Sequence, residues 1–240
     1  MRILVTNDDG VGAAQLIPLI RWCRKIGDVT VFVPKHEQSG KSHSFEIQEP
    51  FEVKQVQLAE DITVWTVDST PADCVRIAVL GMKMEFDLVI SGINRGFNLG
   101  LDTMYSGTVG AASEAVALGM KAIALSTPPK YYEKAVAHLD RVFDFVQRHS
   151  LLDVNPFYNV NIPENPTGIK ITRQGGPYYS DLFPYIGDNL YKPQGYPVWK
   201  DSGNETLDTD ATFHGYITIT PMTIDKTNHE VYETLKNLAE

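Results

Sequence analysis

The stretch Ile3-Leu4-Val5-Thr6-Asn7-Asp8-Asp9-Gly10 decides how the chain is expected to fold. A short run of aliphatic residues that stops at turn-forming residues predicts a buried β-strand. Two adjacent carboxylates at the end of such a strand repel each other and lose hydration, so a positive charge is needed beside them. A divalent cation would supply that charge, and the pair therefore predicts a metal site.

Strands and helices alternate along the rest of the chain. Apolar residues recur at helical spacing over about 13–26, and a second apolar strand follows at 29–33. A strand, a helix and a strand in succession predict parallel pairing with a right-handed crossover. Further strands are predicted at 45–56, 62–67, 86–90, 122–125, 157–162, 169–172 and 216–220. Further helices are predicted at 71–82, 106–118, 132–148 and 230–238.

This alternation predicts an α/β fold with a Rossmann-like, doubly wound, mostly parallel sheet. A chain of 240 residues with 43% hydrophobic residues is long enough for one sizeable domain, which we expect to span 1–240. The composition changes near residue 175, so we expect a C-terminal extension or arm from there to the end.

The charge and cysteine content narrow the class of protein. A formal net charge of −9 argues against a non-specific nucleic-acid binder and against a partner of anionic membranes. The two cysteines, Cys23 and Cys74, lie in apolar helical patterns and form no disulfide framework. The chain begins directly with a strand, and no apolar run approaches the length of a membrane span. We therefore expect a cytoplasmic enzyme with no nucleic-acid or membrane partner.

Three predicted strand ends carry oxygen ligands for a metal. Asp8 and Asp9 follow the first strand, Ser39 lies in the loop after the second, and Asn94 follows the strand at 86–90. Ligands of open parallel sheets bind beyond these strand ends. Two carboxylates, a hydroxyl and an amide oxygen suit one hard divalent cation, Mg²⁺, Mn²⁺ or Ca²⁺, of which we expect Mg²⁺ or Mn²⁺. The alternative for Asp8 alone is a turn or helix-cap carboxylate.

A second motif, Ser106-Gly107-Thr108, opens a predicted helix and could bind an anion. Free backbone N–H groups, two hydroxyls and the helix dipole favour a phosphate there, and Gly107 would allow close approach. The alternative is an ordinary helix cap with small residues packed on the sheet. Asn98 could donate an amide hydrogen bond to a phosphoryl oxygen, although asparagine in a glycine-rich loop is usually a turn residue.

Two other motifs imitate nucleotide-binding loops. Gly10-Val11-Gly12 follows a strand, but Gln15 occupies the third glycine position of the dinucleotide fingerprint. Ser39-Gly40-Lys41-Ser42 resembles the end of a P-loop, but Lys35 occupies its first glycine position. Both motifs therefore match their patterns poorly.

The segment 177–199 is rich in Tyr, Pro and Gly and has no clear periodicity. A long aromatic segment of this kind covers an active site, packs on another subunit, or folds over its own core. The sequence leaves these three possibilities open.

Several motifs give the chain a resemblance to the SurE (survival protein E) family. They are ILVTNDDG at 3–10, PKHEQSG at 34–40, TPADCV at 70–75, SGINRGFNLGLDTMYSGTVGAASEAVALG at 91–119, NVNIP at 159–163 and TDATFHGYITITPM at 209–222. The resemblance implies a metal-dependent nucleoside monophosphate phosphatase. It implies metal ligands at Asp8, Asp9, Ser39 and Asn94, and phosphate contacts at Asn98, Ser106, Gly107 and Thr108. It further implies a C-terminal extension exchanged in a homodimer or homotetramer.

The chain departs from the family pattern at Lys35 and Lys41, which flank Ser39. We expect these lysines to add positive charge beside the site.

These observations predict a phosphomonoesterase. The resemblance implies that it acts as a 5′-nucleotidase, with 3′-nucleotidase and exopolyphosphatase activity as further expectations. Asp8 or Asp9 would take the proton of the attacking water, and Asn98 with the helix start at Ser106 would hold the phosphoryl oxygens. The alternatives are a non-catalytic, metal-dependent nucleotide-binding regulator, and a nucleotide kinase or ATPase that uses the segment 39–42.

Overall fold

A computed structural model describes residues 1–238 of the chain. The strands are β1 Arg2–Thr6, β2 Asp28–Pro34, β3 Val53–Ala59, β4 Ile62–Val67, β5 Leu88–Arg95, β6 Lys121–Thr127, β7 Phe157–Asn161, β8 Gly168–Ile171, β9 Tyr179–Leu182, β10 Tyr185–Gly187, β11 Leu190–Tyr191, β12 Gln194–Pro197 and β13 Tyr216–Pro221. The α-helices are α1 Leu16–Cys23, α2 Pro71–Arg76, α3 Gly107–Ala117, α4 Leu139–Arg148, α5 Leu151–Val154, α6 Asp208–Phe213 and α7 His229–Leu235. A π-helical turn spans Ile77–Gly81, and 3₁₀ helices span Gly100–Tyr105 and Pro129–His138.

The central sheet confirms the predicted α/β architecture. Its strands lie in the order β3-β4-β2-β1-β5-β6-β7-β13-β8. Every pair from β4 to β7 is parallel, whereas β3 and β13 run antiparallel to β4 and β7. The chain moves outward from β1 to β2 and β4 and then returns to the other side of β1 as β5. The direction of winding therefore reverses between β1 and β5, where such sheets bind ligands.

The sheet separates two hydrophobic cores. In β1, Ile3 and Val5 face the core that α1 and α4 cover, and Leu4 faces the core that α2 and α3 cover. All three side chains are fully buried. Burial on both faces explains why these strands have continuous apolar runs instead of alternation.

Several predicted elements have different bounds in the structure. The helix predicted at 13–26 is limited to Leu16–Cys23. The strand predicted at 45–56 begins only at Val53, because Glu46 Oε1 accepts the N–H groups of residues 47, 48 and 49 and replaces a strand ladder with a local turn. The strand predicted at 86–90 continues to Arg95.

The long helix predicted at 132–148 is wrong in its first half. The α-helix begins at Leu139, and the preceding residues form the 3₁₀ helix Pro129–His138. Tyr132 in that segment is buried against the loop after β1, so a tertiary contact overrides the helical apolar pattern.

The aromatic segment 177–199 forms paired strands where no periodicity was evident. β9 pairs with β12 and β10 pairs with β11, both antiparallel. Nearly all residues of these strands are exposed on both faces, which removes the alternation by which a strand is recognised. We call residues 178–198 the hairpin arm.

Within residues 1–238, no helix is both long and apolar enough to cross a membrane.

Candidate active site

A tight turn after β1 presents the two carboxylates. The Asn7 side chain closes it, donating from Nδ2 to the Gly10 carbonyl at 3.1 Å and accepting the Gly10 N–H at 3.0 Å. Gly10 has a φ of 84°, and a Cβ there would lie 3.0 Å from the backbone of His36. The turn therefore requires glycine and packs directly against the loop after β2.

Asp8 is the buried member of the pair, with 4% of its surface exposed. Its Oδ1 accepts a 2.5 Å hydrogen bond from the Thr108 hydroxyl. Burial raises the pKa of Asp8 to about 6, and the charge of Asp9 adds to the increase, while the Thr108 hydrogen bond opposes it. Asp8 thus bears an uncompensated electrostatic cost that a cation would remove.

Asp9 is half-buried and opens toward a cleft. Its Oδ2 accepts the Arg95 N–H and the Tyr132 hydroxyl, each at 3.1 Å. Burial raises the pKa of Asp9, and these two hydrogen bonds moderate the increase. They hold one carboxylate oxygen, so the other is available to a ligand.

Asn94 and Ser39 stand beside this pair. The Asn94 amide donates to the Gly96 carbonyl at 2.9 Å, which leaves its Oδ1 to a ligand. The residue lies in β5 next to Arg95, whose N–H contacts Asp9. Ser39 is exposed and donates to Glu37 at 2.7 Å. The loop that contains Ser39 is held to the turn after β1 by a 2.7 Å hydrogen bond from the Gln38 N–H to the Asp8 carbonyl.

The donor set fits a hard divalent cation. Among the described residues, no three His, Cys, Asp or Glu side chains cluster as a metal site. A cation here would therefore take two carboxylates with neutral hydroxyl and amide oxygens, the chemistry that Mg²⁺ and Mn²⁺ favour over Zn²⁺.

The start of α3 lies against Asp8. Ser106 is the N-cap and its Oγ accepts the Val109 N–H at 3.1 Å. A Cβ on Gly107 would lie 3.0 Å from the Asp8 Cβ, so glycine allows the helix to approach the carboxylate. The first-turn N–H groups and the positive end of the helix dipole thus lie against the Asp8 carboxylate, an arrangement that favours an anion.

Asn98 is buried and hydrogen-bonded inward. Its Nδ2 donates to Ser126 Oγ at 2.8 Å, and its backbone contacts β7. Of the residues predicted to contact phosphate, Thr108 is hydrogen-bonded directly to Asp8, whereas Asn98 is hydrogen-bonded to β6 and β7.

An open cleft of about 860 Å³ lies beside the site. Its walls include Asp9, Ser39, Arg95, Tyr132, Lys130 and Lys134. The sequence predicted no role for Arg95, and no motif in it includes Lys130, Tyr132 or Lys134. Tyr132 contacts Asp9 across 123 positions of chain, and no local pattern marks such a contact.

One expectation about the loop after β2 needs correction. The charge of Lys35 is balanced by two acidic side chains, because its Nζ lies 3.0 Å from Asp68 and 3.4 Å from Glu52. In the described chain, turns and bends rather than a helix follow the segment 39–42, which agrees with its poor match to a P-loop.

Comparison with known proteins agrees with the motifs. The family profile described as survival protein SurE matches residues 3–181. A Thermosipho melanesiensis protein described as 5′-nucleotidase SurE is 35% identical over an alignment of 254 residues that covers all of this chain and 98% of that protein. A Legionella pneumophila protein of the same description is 36% identical, with 99% and 97% covered. The crystal structure of the SurE protein from Aquifex aeolicus matches at a TM-score of 0.80 and 32% identity, with both chains fully covered.

Proposed function

The chain belongs to the SurE family, and from that premise we propose that it is a phosphoric monoester hydrolase that releases phosphate from nucleoside 5′-monophosphates with a divalent metal. Relatives described as 5′-nucleotidases align over nearly their whole length, which supports the same activity here. The proposal extends to nucleoside 3′-monophosphates and to polyphosphate, as secondary substrates.

The observation that carries this proposal is the contact between Asp8 and the start of α3. The proposed metal ligands and the proposed anion site lie next to each other there, with the Thr108 hydroxyl 2.5 Å from Asp8 Oδ1. Phosphate-ester hydrolysis needs a cation and phosphate-binding donors within one small volume.

The proposal assigns four side chains to the metal. Asp8, Asp9, Ser39 and Asn94 hold one Mg²⁺ or Mn²⁺ per subunit. Such a cation, when bound, polarises a phosphoryl oxygen and lowers the pKa of a bound water.

The remaining roles belong to the chain's own groups. The N–H groups at Gly107 and Thr108, the Ser106 hydroxyl and the Asn98 amide hold the phosphoryl oxygens and stabilise charge that develops on them. The Asp8–Asp9 pair takes the proton of the attacking water, since its carboxylates are the bases next to the phosphate.

The experiment compares wild type with Asp9→Asn, which keeps the size of the side chain and removes its charge. Phosphate release is measured from 5′- and 3′-monophosphates, ATP and polyphosphate, with Mg²⁺, Mn²⁺ or EDTA. We expect metal-dependent AMP hydrolysis by wild type and loss of nearly all of it in the folded variant.

Other outcomes would support the rival functions. Binding of AMP without phosphate release by wild type indicates a regulator, and release of the ATP γ-phosphate that depends on Lys41 indicates a kinase or ATPase. Wild-type turnover by Asp9→Asn refutes the assigned role of the carboxylate pair.

We further propose that the hairpin arm, within a C-terminal extension from about residue 175 to 240, packs against a second subunit in a homodimer or homotetramer. The arm carries exposed apolar side chains, including Phe183 at 60% and Tyr191 at 62%, which favours a protein interface. Replacing residues 181–195 with a short Gly-Ser turn keeps the root of the arm and should yield a monomer in sedimentation velocity. An unchanged oligomer refutes this assignment.

We also propose a cytoplasmic setting. Cys23 and Cys74 are both free thiols, which suits a reducing compartment.

A further inference from the structure

Strand β7 has an unusual pattern of burial. Tyr158, Val160 and Ile162 along this stretch pack into the core under α1 and α4. The alternate positions, Asn159 and Asn161, are polar, yet each has 0% of its surface exposed. Burying an asparagine amide is unfavourable unless hydrogen bonds replace those to water, so the partners of these two side chains matter.

Both asparagines bind the backbone of Asn98. The Asn161 Oδ1 accepts the Asn98 N–H, and the Asn161 Nδ2 donates to the Asn98 carbonyl, each at 2.9 Å. The Asn159 Nδ2 donates to the same carbonyl at 2.8 Å. One side-chain amide therefore holds both polar groups of a single residue, and a second reinforces it. We call these three hydrogen bonds the Asn98 clamp.

The clamp does not satisfy every group that it buries. Within the described chain, the Oδ1 of Asn159 is buried with no hydrogen-bond partner. Apolar side chains at both positions would leave the Asn98 N–H and carbonyl without these partners, so the two amides stabilise the Asn98 backbone at the cost of one unpaired oxygen. Retaining two buried amides at the carboxyl end of β7, beside the proposed site, points to a role in function.

The clamp and Ser126 together determine what the Asn98 side chain can do. The Asn98 amide reaches Ser126 Oγ at 2.8 Å. Because a hydroxyl donates as well as accepts, a 180° turn of the amide lets Ser126 donate to Oδ1 and leaves the N–H₂ group to donate to another acceptor. The backbone contacts fix the Cα, so the amide can turn while the residue stays in position.

We propose that Asn161 is a positioning residue for phosphate binding, which acts by holding the backbone of Asn98, with Asn159 as its support. The inference rests on the proposed function because it assumes that Asn98 contacts the phosphate. It adds to that site a residue of β7, the last strand in the parallel part of the sheet, which lies 63 positions from Asn98 in the chain.

The test uses Asn161→Asp and inorganic phosphate as the probe. A carboxylate accepts the Asn98 N–H but cannot donate to its carbonyl, whereas a protonated carboxyl does both. At pH 8 with Mg²⁺, we expect the dissociation constant for phosphate to rise roughly 10- to 100-fold, the usual effect of removing an orienting contact. The deficit relative to wild type should shrink as the pH is lowered to 5, because protonation restores the missing donor.

A matched control separates positioning from general loss of structure. Asn155 precedes β7 and donates from Nδ2 to the Phe157 and Met222 carbonyls. Asn155→Asp makes the same chemical change at the other end of the strand, and we expect its phosphate affinity to match wild type. Equal loss in the two variants overturns the proposal.

A double variant tests whether Asn161 acts through Asn98. In the background of Asn98→Ala, adding Asn161→Asp should change the phosphate affinity by no more than about twofold, because the side chain that Asn161 positions is already absent and coupled residues are not additive. Full additivity, or wild-type affinity in Asn161→Asp alone, refutes the proposal.

If Asn161→Asp does not fold at pH 8, Ser126→Ala serves as the second variant. It removes one hydroxyl, should weaken phosphate binding, and should show the same lack of additivity with Asn98→Ala. Wild-type affinity in folded Ser126→Ala would count against the proposal. Because all these measurements are of binding, an enzyme that binds phosphate but releases none from any nucleotide would refute the proposed function alone.

Discussion

Substituting Gly107 with alanine tests the contact between α3 and the carboxylate pair. The new Cβ would lie 3.0 Å from the Asp8 Cβ, 3.2 Å from its Oδ2 and 3.1 Å from the Pro71 Cγ. Carbon atoms pack best at about 3.5–4.0 Å, so Asp8, Pro71 or the helix start must move by roughly 0.5 Å.

The expected cost in stability is small. Overpacking a buried position costs about 1–3 kcal/mol, and the higher helix propensity of alanine offsets up to about 1 kcal/mol of that. The expected cost in activity is larger, because the shift separates Thr108 from Asp8 and narrows the approach to the first-turn N–H groups. Misplacement of catalytic groups by about 1 Å can cost on the order of 100-fold in rate, so we expect a 10- to 100-fold lower kcat/KM for Gly107→Ala.

The assay is AMP hydrolysis with Mg²⁺, combined with urea denaturation of the same samples. Gly81→Ala is the control, because its Cβ would meet only the Ile77 side chain, at an ordinary 3.4 Å. We expect normal kcat/KM in that variant. Wild-type kcat/KM in Gly107→Ala would refute the view that glycine is needed for this approach.

Three further predictions concern charge. Glu114→Gln removes the negative charge that lies 2.7 Å from His43 and 2.8 Å from Arg76, and should cost roughly 1–3 kcal/mol in urea denaturation at pH 7. The hydrogen bond with His43 lowers the pKa of Glu114, and the Arg76 contact lowers it further, so this stabilisation is present above pH 4.5 and fades below it. A stability difference between wild type and variant that stays constant across pH would contradict the ion pair. Because the pKa of Asp8 is about 6, Mg²⁺ affinity measured by calorimetry should fall about tenfold per pH unit below that value, and pH-independent binding would contradict its role as a ligand. Burial raises the pKa of Cys23 to about 12 and that of Cys74 well above its usual value, so neither thiol should react with iodoacetamide at pH 8 until the protein is unfolded.

The sequence was informative wherever a strand is buried on both faces. The apolar runs of β1, β2, β5 and β6 predicted a parallel sheet, and the turn-forming residues after β1 predicted where it ends. It was uninformative for β9 to β12, since exposed strands need no alternation. The 3₁₀ helix Pro129–His138 was also missed, because its geometry depends on Tyr132 reaching Asp9.

The same distinction applies to the site. Asp8, Asp9 and Asn94 could be predicted together, because parallel topology brings successive strand ends to one edge. Asn161 could not, since an asparagine in a strand gives no local sign that it binds a backbone 63 positions away. Long-range hydrogen bonds of this kind depend on which strands become neighbours, and that information is absent from local periodicity.

The topology also explains why the metal and phosphate parts of the proposal depend on each other. The helix α3 follows β5 and begins at the carboxyl edge of the sheet, so its positive end lies against Asp8. The Thr108 hydroxyl and this helix start already serve one anion, the Asp8 carboxylate. A phosphoryl group would bring a second anion to the same helix start, and the half charge of a helix dipole cannot offset both. A divalent cation between them would supply the missing charge, so loss of metal should weaken phosphate binding as well as turnover.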